Sequence, residues 1–173
     1  TLCCTGVRHL SKFLIRIYAV AHYGAAEAMP GPEDDTEARW KHWRESRAAK
    51  AIVIRFVYGI GGKRMVRAQQ QSLAEQGYDG PNRETYAEAF NREARPGTEI
   101  RVVAPGEDEL ALYWDGEEAG RWNDRPLVNA VWNAWIGDDW RLWPQRACVG
   151  APLAEGALIE IVATAAVKDG GAE

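Results

Sequence analysis

The sequence predicts an α+β domain in which an antiparallel sheet is covered on one face by helices. Three observations predict it. Two long apolar runs of strand composition, 12–23 and 50–58, come early in the chain. Helical segments follow the second run, then short strands joined by tight turns, and then a helix with a broad apolar stripe. Finally, strand and helix patterns do not alternate in the way that builds a parallel sheet.

Thr5-Gly6-Val7-Arg8 leads into the first run. That run, KFLIRIYAVAHY, sets Phe13, Ile15, Ile17, Ala19, Ala21 and Tyr23 on one face at a period of two. Lys12, Leu14, Arg16, Tyr18, Val20 and His22 take the other face, a mixture suited to a partly covered surface or a cleft wall. It reads as one long strand, and either face can meet helices. Residues 24–35 contain Pro30-Gly31-Pro32 and a run of acids, which marks a solvated connection. Residues 36–47 read as a short polar helix with Trp40 and Trp43 on one side, and 24–47 as a whole as an insert or variable connection. The second run, KAIVIRFVY, is rich in β-branched residues and apolar on both faces apart from Arg55, as a central strand should be.

Gly61-Gly62 breaks that strand, and 63–76 has helix-forming composition ended by Gly77. Asn82 can cap a further helix running to about Ala94, with Tyr86 and Phe90 one turn apart and Pro96-Gly97 as the stop. Short strands follow at 99–103, 109–114 and 119–122, joined by Pro105-Gly106 and Asp115-Gly116. Both residues of an Asp-Gly pair tolerate positive φ, which favours a two-residue hairpin, so a meander is expected. Leu127, Val128, Val131, Trp132, Trp135 and Ile136 then recur at helical spacing. Asp124 or Asn123 suits the start of that helix, Pro126 its first turn and Gly137 its end. A last strand is expected at 158–167, and 168–173 should fray. With no internal repeat and no second boundary, 1–173 reads as one domain.

Composition bounds the function. A chain of 173 residues can bury roughly 70% of its unfolded surface, enough for one core. The net charge is −4 and the basic residues are scattered, which argues against a nucleic-acid partner. Apolar runs are strand-length, well short of the ~20 residues that span a bilayer. The chain opens on Thr1 without a charged and apolar leader, as a trimmed product would, leaving export and cytoplasmic residence both open. Cys3, Cys4 and Cys148 are odd in number and form no metal-ligand spacing with the three histidines, so they read as small apolar side chains and no metal is expected. Walker and dinucleotide spacings are absent around Gly59-Ile60-Gly61-Gly62-Lys63. Six of the eight tryptophans fall between 114 and 143, which favours a well-packed core.

Gly6-Val7-Arg8, the strand ending Ala19-Val20-Ala21-His22-Tyr23, the strand at 50–58 with its helix, and the helix ending Trp135-Ile136-Gly137-Asp138 together resemble the chalcone-isomerase-like family. The ordered set carries the resemblance over about 5–139. It implies an open-faced β-sandwich: a curved antiparallel sheet, a layer of helices and a cleft between them. It also implies that Arg8 matches the family arginine that binds an anionic or phenolic group in that cleft, a task suited to a planar guanidinium. Where plant isomerases polarise the substrate ketone with a threonine, this chain has Tyr18; where they use a tyrosine and an asparagine, it has Lys63 and Gln70; and a substrate-binding threonine of the late helix is replaced by Ala134.

Ring closure needs donors placed where charge develops, so these replacements weigh against isomerase chemistry. The family also contains fatty-acid-binding members and many bacterial proteins. The expectation is therefore non-catalytic binding of a fatty acid or similar amphiphilic carboxylate, with Arg8 as anchor, Tyr18, Lys63, Gln70 and Ala134 at the site, and no cofactor. Two alternatives stay open at this stage: an isomerase of phenolic enones using Arg8, Tyr18 and Gln70, and haem binding through His22 or His9.

Overall fold

Period-two alternation in the apolar runs gives each strand two unlike faces, and pairing them in chain order builds a single sheet. The computed structural model describes residues 2–12, 15–25, 28 and 37–136, and in β1 the description is of the backbone. Among these, six antiparallel strands follow one another in space as they do in sequence: β1 (Leu2–Lys12), β2 (Ile15–Ala25), β3 (Lys50–Phe56), β4 (Glu99–Ala104), β5 (Glu109–Trp114) and β6 (Glu117–Asn123). Four helices accompany them: α1 (Glu37–Glu45), α2 (Gly62–Glu75), α3 (Arg83–Glu88) and α4 (Arg125–Ile136). The expected fold class is therefore the observed one, with β3 central between β2 and β4.

The sheet face that meets the helices is fixed by register. Directly opposed residues of antiparallel strands share a face. Val20 opposes Ile54, Ile54 opposes Ile100, and Ile100 opposes Trp114; all four are buried. One row away, His22, Ile52, Val102 and Leu112 are aligned and buried too. Leu127, Val128, Val131 and Trp132 of α4, with Met65 and Leu73 of α2 and Tyr86 of α3, close over this face into one cluster. Burial of each Leu- or Ile-sized side chain is worth about 1.5–3 kcal/mol, so this interface supplies the main driving force. Ala21, Tyr23 and Ala51 are buried on the opposite face, with Val53 and Val103 packed beside them.

Several elements differ from expectation. The run 12–23 is not one strand: Lys12 ends β1, Ile15 begins β2, and the two pair antiparallel. Thr5-Gly6-Val7-Arg8 accordingly lies within a strand of its own. The helix expected from Asn82 to about Ala94 stops at Glu88, and the Asn82 side chain makes no capping bond. Its amide instead donates to Asp124. The Asp115-Gly116 turn has the expected form, with φ of 49° and 87°. Expectations for Phe13, Gly137, Asp138, Trp140, Trp143, Cys148 and the strand at 158–167 lie outside the described residues.

Candidate functional site

The layer between β2–β3 and α4 is where strand register and the helix stripe bring the aromatic side chains together. Tyr18 opposes Phe56 across β2–β3, and their rings meet edge to face with centroids 5.6 Å apart. From the helix side, Trp135 meets the Tyr18 ring in the same manner at 6.0 Å. Edge-to-face pairs at these separations add about 0.5–1.5 kcal/mol each beyond their burial. Tyr18 is thus held between the sheet and α4 from two sides.

β1 adds its own row to this face. Leu10 opposes Tyr18 and Arg8 opposes Val20, so Arg8 holds a register position on the row that continues through Val20, Ile54, Ile100 and Trp114. Tyr18 and Arg8 stand two positions apart along the β1–β2 ladder, on rows of the same face. Ala134 is half-buried on α4, next in sequence to Trp135. Gln70 and Lys63 are engaged differently. The Gln70 side-chain amide donates to Glu84 at 3.1 Å and the Gln70 backbone carbonyl accepts from Arg83, which joins α2 to α3. Lys63 is exposed near the start of α2.

Residues not singled out from sequence complete the layer. Tyr86 packs edge to face on Phe90 and Trp122, each at 5.3 Å. Its hydroxyl is buried, and among the described residues it finds no partner at hydrogen-bond geometry. Burial pushes that hydroxyl well above the usual tyrosine pKa, and the Trp135 indole opposes the shift without offsetting it. Trp132 lies fully buried one helical turn from Trp135, and its indole N–H also has no partner among the described residues. Each buried donor left unmatched costs about 1–3 kcal/mol, so a polar ligand atom arriving here would recover part of that cost. In the sequence, Tyr86 and Trp132 had only the helical spacing of core residues, with nothing to distinguish a donor lacking an acceptor.

Two other polar side chains are buried on the sheet face under the helices. His22 stands in the row of Ile52 and Val102. Lys50, opposite Gly24, donates from Nζ to the Ser46 carbonyl at 3.3 Å and places its cation 5.1 Å from the centre of a Trp132 ring. Such a contact is worth about 0.5–2 kcal/mol and helps a lysine stay charged away from water. No group of three His, Cys, Asp or Glu side chains among the described residues is arranged to hold a metal ion. No helix among them is long and apolar enough to cross a membrane.

A polar knot fixes the helices over this layer. Asp124 precedes α4 and accepts from the Leu127 N–H at 3.0 Å, which makes it the N-cap expected from sequence. The other carboxylate oxygen accepts from the Tyr78 hydroxyl at 2.5 Å and from the Asn82 amide at 2.8 Å. Burial alone would raise the Asp124 carboxyl, but the three hydrogen bonds together outweigh it and hold its pKa below the usual value. Tyr78 moves the opposite way: burial, then the hydrogen bond to Asp124, push its hydroxyl up to about 12.

These elements make up the chalcone-isomerase-like fold, an antiparallel open sheet with its helices packed on one face. Among solved structures the chain is similar to a fatty-acid binding protein of Arabidopsis thaliana, with a TM-score of 0.63 over 80% of this chain and 78% of that one. The sequence identity is 16%, and the likeness is one of fold. No family model and no curated protein matches the chain.

Proposed function

We propose that the protein is a non-catalytic carrier of the chalcone-isomerase-like family that binds a fatty acid or similar amphiphilic carboxylate between the sheet and α4. The supporting observation is the pair of buried donors, Tyr86 Oη and Trp132 Nε1, that find no hydrogen-bond geometry among the described residues and lie in the same apolar layer as Tyr18 and Trp135. A mostly apolar enclosure with a few convergent donors is what a long-chain acid requires. In this reading Arg8 holds the carboxylate from β1, Tyr18 assists from β2, and Val20, Ile54 and α4 enclose the chain. The fatty-acid binding described for the Arabidopsis thaliana neighbour agrees with it. Gln70 donates to Glu84, so the reading rests on Arg8 and Tyr18 of the expected set.

Displacement of a fluorescent fatty acid tests the proposal. The wild-type chain should release the probe on titration with unlabelled fatty acid, and Arg8→Ala should weaken affinity by about tenfold or more, the worth of a charge-assisted hydrogen bond. An unchanged affinity in Arg8→Ala would remove the anchor from the account.

A further inference from the structure

Several cations of the described surface are paired. Arg47, Arg101, Arg121 and Arg125, for example, each meet a glutamate. Arg55, Lys63, Arg64 and Arg67 are exposed and meet no carboxylate among the described residues. Lys63 and Arg67 are one turn apart on α2, where Arg67 Nε donates to the Lys63 carbonyl at 3.4 Å, and Arg64 lies three residues before Arg67.

Helix stability does not account for this placement. Lys63 and Arg64 sit in the first turn of α2, which holds no acid, so their charge opposes the helix dipole. Val57 and Tyr58 come directly before this helix and are about half exposed, at 51% and 52%, the large apolar side chains left open among the described residues. They are held firmly: both backbone N–H groups donate to the Ile17 carbonyl, and Ile60 bridges to Ala94. An exposed aliphatic side chain, an amphipathic tyrosine and unpaired cations thus follow one another in the chain from the end of β3 into the first half of α2.

We infer that this face docks on an anionic lipid surface. Lys and Arg supply attraction to lipid phosphates, while Val57 and Tyr58 enter the headgroup boundary, where a ring with a polar tip is favoured. A single-stranded nucleic acid would call for several stacking platforms, and this face offers one. The chain as a whole is negative, so attraction to an anionic surface depends on local clusters of cations such as this one. Ile17, which anchors Val57 and Tyr58, neighbours Tyr18, so the docked face adjoins the layer proposed to hold the amphiphile. Docking itself does not rest on that proposal and is measured without any fatty acid.

Co-sedimentation with vesicles tests it, using phosphatidylcholine alone and an equal mixture with phosphatidylglycerol. The wild-type chain should bind the mixed vesicles, lose binding as salt rises, and stay in the supernatant with phosphatidylcholine alone. Lys63→Gln, Arg64→Gln and Arg67→Gln should each lower partitioning by about fivefold. Val57→Ser with Tyr58→Ser should lower it by about tenfold. Arg101→Gln, which removes a paired cation, should leave it unchanged. All these positions are at the surface or half-exposed, and circular dichroism confirms that each variant is folded. The inference is overturned if the wild-type chain ignores the mixed vesicles, or if the triple glutamine variant binds them as well as wild type. It is also overturned if Val57 and Tyr58 instead hold two copies of the chain together, seen as a dimer by analytical ultracentrifugation.

Discussion

Asp124 connects three parts of the helical layer through one carboxylate, and Asp124→Ala should therefore cost far more than a surface substitution. Loss of the cap on the Leu127 N–H costs about 1 kcal/mol. Loss of the charge-assisted bond from the buried Tyr78 hydroxyl costs about 1.5–3 kcal/mol. The half-buried Asn82 amide regains water and adds less. The total is about 3–4 kcal/mol, read as a lower urea midpoint with an unchanged slope, or as a fall of about 10 °C in Tm for a chain of this size. Asp124→Asn keeps an acceptor for the cap and should lose only about 1–2 kcal/mol. A double-mutant cycle with Tyr78→Phe should give a coupling of at least about 1 kcal/mol, since the two groups are in direct contact. A loss below about 1 kcal/mol in Asp124→Ala, or additive effects of the two substitutions, would refute the knot.

The same pair sets the pH limits of stability. Asp124 is depressed in the folded state, so its contribution is present above about pH 4, the unfolded value, and is lost as pH falls through the lower native value; acid titration of Asp124→Asn should lack that loss. Tyr78 is raised to about 12, so its contribution is complete below about pH 10 and disappears as pH rises toward that value, a loss that Tyr78→Phe should not show in alkaline unfolding. Tyr86→Phe removes a buried hydroxyl that has no hydrogen-bond geometry among the described residues: the ligand-free chain should be unchanged or about 1 kcal/mol more stable in urea, while fatty-acid affinity falls. Destabilisation of the ligand-free chain would contradict an unmatched hydroxyl. Gly24→Ala should cost about 1–3 kcal/mol, because a Cβ there would come within 2.5 Å of the buried Trp43 ring, whereas Gly106→Ala meets nothing within 4 Å and serves as the control in the same thermal melts.

The α+β class, the central strand β3, the meander β4–β6 and the cap of α4 were legible because each is written in short-range signals: β-branched density, an Asp-Gly turn, and an aspartate before a helical stripe. β1 was not. A bulge between Cys4 and Gly6 breaks the alternation on which strand reading depends. Ser11-Lys12-Phe13-Leu14 also lacks the Gly, Asn or Asp that marks a hairpin, so two strands read as one.

The packing around the candidate site was less legible. Tyr18 was singled out from its strand, but its contacts with Phe56 and Trp135 depend on register and on a helix more than a hundred positions away. Asn82 looked like a cap because short-range reading could not see Asp124, 42 positions further on, which accepts from its side-chain NH2. That Tyr86 and Trp132 find no partner among the described residues is likewise a property of the packed layer. No local pattern encodes it.

Binding of an amphiphile between the sheet and α4 is tested most directly by crystals grown with a long-chain fatty acid brominated along its tail. The account predicts an anomalous bromine signal between Val20, Ile54 and the Trp132–Trp135 face of α4, with the carboxylate at Arg8. A saturating ligand whose bromine signal lies outside this layer, or crystals that take up none, would contradict it.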